Sequence, residues 1–272
     1  MTPGDSGKPS IARIYDYWLG GTDNFEADRA AAEAIRAQRP DVAEQALDNK
    51  RFQTRAVTYA AGHGVRQFLD IGAGLPTSPV RAAGGEPQWR ATHEAARAVI
   101  PDAVVAYVDY DPAAVVHSRA LLAGGSPRVV AVGGDVRDPA AILADPAIAA
   151  AGFSVAQPAC VILACILHFL DPPEARAVTR DLVAALAPGS YVAISVGYAT
   201  GSGGAEFAQV YNAQDGPRIY AQTWEQISAL FAGLELVPPG LVDSATWRAD
   251  GTQAAGRGEQ TSMIVAGLGR KN

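Results

Sequence analysis

The chain is poor in cysteine and in lysine, and it has no long apolar run. Of its 272 residues, two are cysteine and three are lysine. Cys160 and Cys165 both lie in the apolar run 159–167. Their odd spacing along a predicted strand places them on opposite faces, which excludes a disulfide between them and gives no metal-ligand spacing. The run is less than half of the roughly 20 residues that cross a bilayer. We therefore expect a cytoplasmic protein with no membrane partner.

An excess of positive charge is also lacking. With 28 acidic and 22 basic residues the formal net charge is −6, so no overall positive field favours nucleic acid or an anionic membrane. The 49% hydrophobic content suits one large globular domain with a small appendage. Residues 1–9 lack the apolar core of a signal peptide and are predicted to form a flexible leader. The oligomeric state is left open.

Helical patterns dominate the first part of the chain. Ser10 is a candidate N-cap, and Ile11, Ile14, Tyr15 and Trp18 follow at the spacing of one helix face. Two more helical segments, 27–39 and 42–61, are separated by Pro40. These patterns predict an N-terminal helical cap over residues 10–62.

The pattern then changes to short β-rich runs that alternate with helices. Such alternation predicts a mainly parallel, Rossmann-like sheet with helices on both faces, over residues 63–272. The Gly-rich segment at about 198–220 interrupts it and is a candidate lid or acceptor loop. Predicted strands are 67–71, 103–108, 129–132, 159–167, 191–196, 234–237 and 262–268, and predicted helices are 93–99, 112–122, 140–143, 173–186 and 223–231.

Glycines follow the first predicted strand, in Gly72-Ala73-Gly74. Glycine lets a ligand lie against the main chain at the carboxyl end of a strand, although the same pattern also occurs in tight turns. A dinucleotide fingerprint would need a third small residue where Thr77 stands. The motif is therefore compatible with a nucleotide-like ligand and argues against NAD.

Acidic residues follow the next two strands. Asp109 is placed to accept hydrogen bonds from a ribose diol, with Asp111 in reserve. Asp111 has a second interpretation, as the cap of a helix that starts at Pro112. Asp135 and Val136 follow the third strand, where they either contact an adenine or form part of a turn.

One histidine emerges at the same predicted edge. His168 follows the fourth strand, where it is a candidate proton acceptor or a hydrogen-bonded structural residue. The pattern alone favours the structural role.

Together these segments resemble the class I S-adenosylmethionine-dependent methyltransferases, over about residues 66–268. The resemblance implies a seven-stranded, mostly parallel sheet with an antiparallel last strand, and S-adenosyl-L-methionine as the cofactor. It rests on 70–74 as the glycine motif, Asp109 as the ribose acid, 134–136 as the adenine motif, 166–169 as the end of the fourth strand, and 186–192 as the turn into the fifth.

A narrower resemblance lies nearer the N-terminus. Residues 12–29 resemble the signature of the actinobacterial S-adenosyl methyltransferase family once catalogued as DUF574, and 49–56, 67–77 and 92–94 are also similar to that family. The segment 78–90 departs from the family as an insertion between the glycine loop and residue 92.

The resemblance implies a methyl-donor site that needs no metal. Positioning, exclusion of water and removal of a proton are the tasks of such a site. The candidate cofactor-binding residues are Asp70, Gly72, Ala73, Gly74, Asp109, Tyr110, Asp135, Val136, Tyr15, Asp23 and Asn24. Candidates for proton transfer are His168, His93 and Glu94, and candidates for an acceptor pocket are Tyr198, Phe207, Tyr211 and Tyr220.

Four functions are compatible with these features. The favoured one is methylation of a small molecule, in secondary metabolism. The alternative is a protein that binds S-adenosylmethionine or S-adenosylhomocysteine as a regulator without turnover. An NAD-dependent oxidoreductase and a nucleic-acid methyltransferase are less favoured. The first function predicts an acceptor cavity beside the methyl group, and the second predicts none.

Overall fold

The computed structural model describes residues 9–78, 87–198, 208–209, 211–212, 218–249 and 263–272, with helices around one central sheet. The helices are α1 Ile11–Trp18, α2 Glu26–Gln38, α3 Val42–Gly62, α4 Thr92–Val99, α5 Pro112–Leu122, α6 Pro139–Leu143, α7 Pro146–Ala150, α8 Pro172–Ala185 and α9 Trp224–Ala229. The strands are β1 Gln67–Ile71, β2 Val104–Asp109, β3 Val129–Gly133, β4 Cys160–Ala164, β5 Tyr191–Gly197, β6 Glu235–Leu236, β7 Val242–Asp243 and β8 Ile264–Arg270. Parts of the predicted leader, of the 78–90 insertion and of the 198–220 segment lie outside the described residues.

The sheet is mostly parallel, as predicted, with antiparallel pairing at its C-terminal strand. Its strands run β3-β2-β1-β4-β5-β8-β6, with β1 to β5 parallel and β8 antiparallel to β5 and β6. The prediction of seven strands is corrected to eight in the described part of the chain, because Val242 and Asp243 also pair with β8. A two-residue strand carries no periodic pattern from which it could be predicted.

The fourth strand is shorter than predicted. It ends at Ala164, because Cys165 adopts a positive φ of 55° and the chain then forms a 3-10 turn over Leu167–Phe169. The apolar sequence continues through the turn, so composition alone does not mark this boundary. The turn places residues 165–170 above the edge of the sheet.

An Asp-Pro pair begins each of the four helices that follow β2, β3 and β4. Each aspartate accepts a hydrogen bond from a main-chain N–H of the first turn, and each proline occupies a position where a helix needs no N–H donor. The cap interpretation of Asp111 is confirmed by its bond from Ala113 N, at 2.8 Å. The pairs are Asp111-Pro112, Asp138-Pro139, Asp145-Pro146 and Asp171-Pro172. The short α7, which was not predicted, begins with this signal.

Alternate strand residues supply two apolar layers, one on each face of the sheet. Leu69 and Val161 belong to the layer beneath α6, α7 and α8. Phe68 and Ile162 belong to the opposite layer, where α3 contributes Phe52. The third N-terminal helix therefore packs directly on the sheet. In the described part of the chain, no helix has the length and apolar character needed to cross a membrane.

Candidate functional site

A cleft of about 280 Å³ opens at the carboxyl ends of β1 to β4. Open α/β sheets bind ligands at this edge, where loops from several strands meet. Here the loops after β1, β2, β3 and β4 form one side, and α1 and α3 form the other. The cleft residues from the predicted cofactor site are Gly72, Ala73, Gly74, Asp109, Tyr110, Asp135, Val136 and Tyr15.

Two glycines of the loop after β1 have left-handed backbone conformations for different reasons. Gly72 has φ +71°, and a Cβ there would lie 2.1 Å from Cδ1 of Ile166. Gly74 has φ +70°, and a Cβ there would meet nothing within 4 Å. Packing thus fixes the first glycine, whereas the second keeps the cleft floor free of a side chain.

Asp109 sits at the tip of β2 and faces this floor. Its Oδ2 accepts a hydrogen bond from Gly74 N at 2.8 Å, and its Oδ1 accepts one from Asp111 N at 2.9 Å. Burial raises the pKa of the Asp109 carboxyl. The next residue, Tyr110, is 68% exposed and offers an aromatic ring at the cleft rim.

The loop after β3 adds a charged and an apolar residue. Asp135 forms an ion pair with Arg137, with Nη2 and Oδ2 2.5 Å apart, and this bond lowers the pKa of Asp135. Val136 is buried beside it. The turn interpretation of this segment is confirmed, because residues 136–137 form a turn and Arg137 N donates to Asp135 Oδ1 at 3.0 Å. Contact with an adenine stays a prediction.

A second, smaller cavity of about 110 Å³ adjoins the cleft, and we call it the aromatic cavity. Its walls are apolar and include Trp18 as well as three of the predicted acceptor residues, Tyr198, Tyr211 and Tyr220. The fourth, Phe207, lies outside the described residues. Four residues line both spaces: Ile11, Tyr15, Cys165 and Phe169.

His168 lines the aromatic cavity and is neutral. Its Nδ1 lies 3.3 Å from Gly197 N, which donates a hydrogen bond to it. A ring nitrogen that accepts a hydrogen bond from an N–H group carries no proton itself, so we assign the ring proton to Nε2. Burial lowers the pKa of His168 to about 4. The ring can therefore donate a hydrogen bond through Nε2 but is a poor proton acceptor near neutral pH.

A chain of hydrogen bonds joins the N-terminal helices to the sheet where the two spaces meet. Tyr15 donates from its hydroxyl to Ala46 O at 3.1 Å and accepts from Asn49 Nδ2 at 2.9 Å. Asn49 Oδ1 accepts from Ser195 Oγ at 2.6 Å, and Cys165 N donates to the same Oγ at 3.0 Å. Helices α1 and α3 are thereby held against β4 and β5.

Comparison with known families identifies the chain. The family model described as S-adenosyl methyltransferase matches residues 2–272. The chain belongs to this family. The match runs from before α1 to the end of β8, so the N-terminal helices are part of the family's architecture.

Solved structures similar to this chain agree with the family match. A candidate methyltransferase from Thermobifida fusca YX is 39% identical, with a TM-score of 0.88 and coverage of 99% of this chain and 98% of that one. A DUF574 family protein from Streptomyces avermitilis MA-4680 is 34% identical, with a TM-score of 0.88 and coverage of 98% and 99%.

A more distant similarity concerns the fold alone. The plantazolicin methyltransferase BamL is 11% identical, with a TM-score of 0.51 and coverage of 96% of this chain and 95% of that one. None of the curated proteins matches the chain. The class I methyltransferase fold expected from the sequence is confirmed, as is the resemblance to DUF574 proteins.

Two residues predicted for proton transfer lie away from both the cleft and the aromatic cavity. His93 Nδ1 is 2.7 Å from the Tyr107 hydroxyl, and Glu94 accepts from Ala91 N at 2.9 Å as part of the start of α4. Neither residue lines the cleft or the aromatic cavity. The geometry gives no support to a catalytic role for them, because α4 turns this face toward Tyr107 and the helix start.

Three predicted cofactor residues also lie outside the cleft walls. Asp70 is buried behind the glycine loop, where its Oδ2 accepts from Gln53 Nε2 at 2.7 Å and Thr92 Oγ1 at 2.6 Å. Burial raises the pKa of Asp70. Asp23 and Asn24 instead hydrogen-bond to a neighbouring carboxylate. Asp70 therefore orders α3 and α4 around the loop rather than facing a ligand.

Sequence reasoning missed Asp16 and Lys50, which both line the cleft. Asp16 receives the bonds from Asp23 N and Asn24 Nδ2, each at 3.0 Å, and one from Thr77 Oγ1 at 2.6 Å. It thus ties the loop after α1 to the glycine loop. Lys50 could have attracted notice as a rare lysine within a segment similar to the family, 49–56.

Proposed function

We propose that this chain binds S-adenosylmethionine in the cleft and methylates an apolar small molecule held in the aromatic cavity. The observation that carries the proposal is the wall shared by the two spaces, formed by Ile11, Tyr15, Cys165 and Phe169. A bound donor would supply an electrophilic sulfonium methyl group. A regulatory protein without turnover would need no second cavity beside the first.

The cleft residues suit the donor's chemistry. Gly74 leaves room against the main chain, and the Asp109 carboxylate has lone pairs for ribose hydroxyls. Tyr110 offers a ring for stacking, and Val136 an apolar contact for adenine. The loops after β1, β2 and β3 would thereby position one nucleoside, and the N-terminal helices would exclude water from above it.

The character of the aromatic cavity favours an uncharged or aromatic acceptor. Among the described residues that line it, none is Asp, Glu, Lys or Arg. Burial raises the pKa of Tyr211, which therefore stays protonated. His168 can donate a hydrogen bond through Nε2 but is a poor proton acceptor, so we infer that it orients an acceptor oxygen or nitrogen. The acceptor would then be a neutral amine, which releases a proton to solvent after methylation, or a hydroxyl that has already lost its proton to solvent.

A cytoplasmic role in secondary metabolism, without nucleic-acid or membrane partners, is part of the proposal. Its support is the small, aromatic cavity and the net charge of −6. A nucleic-acid acceptor would favour a basic surface around the cleft.

Calorimetric titration tests donor binding. We expect micromolar affinity for S-adenosylhomocysteine, none for NAD, and loss of S-adenosylhomocysteine binding in Asp109→Ala. Binding of NAD, or no binding of S-adenosylhomocysteine, would contradict the proposal.

A cavity-filling variant tests acceptor binding. Ala221 lines only the aromatic cavity. In a screen of apolar phenols and amines, formation of S-adenosylhomocysteine should be abolished by Ala221→Trp, whereas calorimetric binding of S-adenosylhomocysteine should persist. Methyl transfer that persists in Ala221→Trp would show that the acceptor binds outside the aromatic cavity. Donor binding with no turnover on any acceptor would favour the regulatory function.

A further inference from the structure

Lys50 brings an ammonium group to the cleft wall in a largely apolar setting. Its Nζ lies 5.5 Å from the ring centroid of Trp89 and 6.0 Å from that of Tyr15. Lys50 Nζ donates a hydrogen bond to Gln53 Oε1 at 3.3 Å. Burial lowers the pKa of Lys50, while the negative charge of Asp70 opposes that shift.

No carboxylate of the described residues forms an ion pair with Lys50. Asp70 influences it electrostatically, but Asp70 Oδ2 is engaged by Gln53 and Thr92. Aromatic rings attract a cation without neutralising it. A half-buried ammonium group of this kind gains most from an anion that enters the cleft.

The position of Lys50 indicates which ligand group that anion is. Lys50 and Arg137 are the Lys and Arg side chains among the described cleft residues, and Arg137 is already paired with Asp135. Lys50 does not line the aromatic cavity, so its charge faces the donor and not the acceptor. The donor and its product each carry one carboxylate, at the end of the molecule opposite the adenine.

We propose that Lys50 binds the carboxylate of the donor's amino-acid portion, an inference that rests on the proposed function. Helix α3 then recognises one end of the ligand, and Asp109 on β2 recognises the ribose. Trp89 and Tyr15 flank the ammonium group and limit its access to water. Trp89, a described residue of the segment predicted to be an insertion, thus borders the proposed carboxylate site.

A pair of ligands that differ by one group tests the proposal. S-adenosylhomocysteine and decarboxylated S-adenosylhomocysteine are titrated calorimetrically into the full chain and into Lys50→Met. The decarboxylated ligand cannot form the charge-assisted hydrogen bond to Lys50. We therefore expect the full chain to bind S-adenosylhomocysteine about tenfold to a hundredfold more tightly than the decarboxylated ligand. In Lys50→Met that preference should fall toward one, with affinity for the decarboxylated ligand unchanged.

Two further variants serve as controls. Lys271→Met removes the same charge from a lysine whose Nζ instead donates to Val183 O and Leu186 O, and it should keep the full preference. Lys50→Arg retains a positive charge and should restore part of the preference. If Lys50→Met fails to fold, Lys50→Gln provides the same comparison, and circular dichroism checks each variant.

The outcomes separate this inference from the proposed function. If neither ligand binds the full chain, the proposed function fails. If both bind it equally, or if Lys50→Met and Lys50→Gln keep the preference, the inference about Lys50 is wrong while donor binding stands. Loss of affinity for both ligands alike would indicate a general structural role and would also overturn the inference.

Discussion

At the scale of single residues, the loop after β1 separates two reasons for a glycine. Gly72 and Gly74 have nearly the same φ, so the conformational penalty for a side chain should be similar, about 1–2 kcal/mol. They differ in their surroundings, because Ile166 blocks a Cβ at the first and open cleft surrounds the second.

This difference predicts opposite consequences for two matched substitutions. Gly72→Ala adds an overpacking cost of about 1–3 kcal/mol and should mainly reduce the free energy of unfolding, measured by urea denaturation. Gly74→Ala should be less destabilising but should weaken calorimetric binding of S-adenosylhomocysteine about tenfold or more, because its methyl group occupies ligand space. If the two variants lost ligand affinity in the same proportion to their loss of unfolding free energy, this division would be refuted.

The second prediction at this scale concerns the protonation state and tautomer of the His168 ring. Since Gly197 N donates to Nδ1 and burial lowers the pKa of the ring to about 4, the ring should remain neutral, with its proton on Nε2, from about pH 6 to 8. Nitrogen-detected NMR of the histidine rings, assigned with His168→Asn, measures both properties. Protonation with a midpoint near the ordinary value of 6.5, or a proton on Nδ1, would restore His168 as a candidate base.

The sequence predicted the cleft-facing loops well for a physical reason. Parallel strands end at one edge, so residues that follow β1, β2 and β3, such as Gly74, Asp109 and Val136, are brought together by topology alone. The loop after α1 follows no such rule. Its polar residues are adjacent in the chain, and only the folded loop shows that Asp16 faces the cleft while Asn24 hydrogen-bonds to it.

At the scale of elements, the bond between α3 and β5 explains how the N-terminal helices are positioned. Asn49 is buried, and its two side-chain groups bind Tyr15 on α1 and Ser195 on β5. Helical periodicity predicts α3 but not this bridge, because the partner on β5 is 146 residues away.

Removal of the bridge should affect both stability and ligand affinity. Asn49→Ala leaves the Ser195 hydroxyl without this acceptor in a buried setting, which costs about 1–3 kcal/mol. It also loosens Tyr15 at the cleft wall, so binding of S-adenosylhomocysteine should weaken. Urea denaturation and calorimetry measure the two effects.

A matched control lies on the same helix. The side chain of Glu44 is 58% exposed, so Glu44→Ala should change stability by less than about 0.5 kcal/mol. A comparable loss in both variants would show that the effect belongs to α3 in general and not to the bridge.

At the scale of the whole molecule, α3 belongs to the core of the sheet. Phe52 is fully buried, and its ring packs edge-on against Trp247 with centroids 5.4 Å apart. Ala56, Val57 and Ala60 lie in the same layer. The change from helical to strand periodicity near residue 63 marks a change of element type, and periodicity alone cannot show whether the preceding helix packs on the sheet.

The packing of α3 predicts that a chain starting at residue 63 does not fold by itself. Removing α3 exposes the face formed by Phe68, Val105 and Ile162, and loss of one large buried side chain such as Phe52 already costs about 3–5 kcal/mol, a large part of a typical stability of about 5–15 kcal/mol. Thermal unfolding followed by circular dichroism should be cooperative for a chain that starts at residue 9 and absent for the one that starts at 63. Cooperative unfolding of both would instead make residues 10–62 a separate cap, with the sheet stable without it.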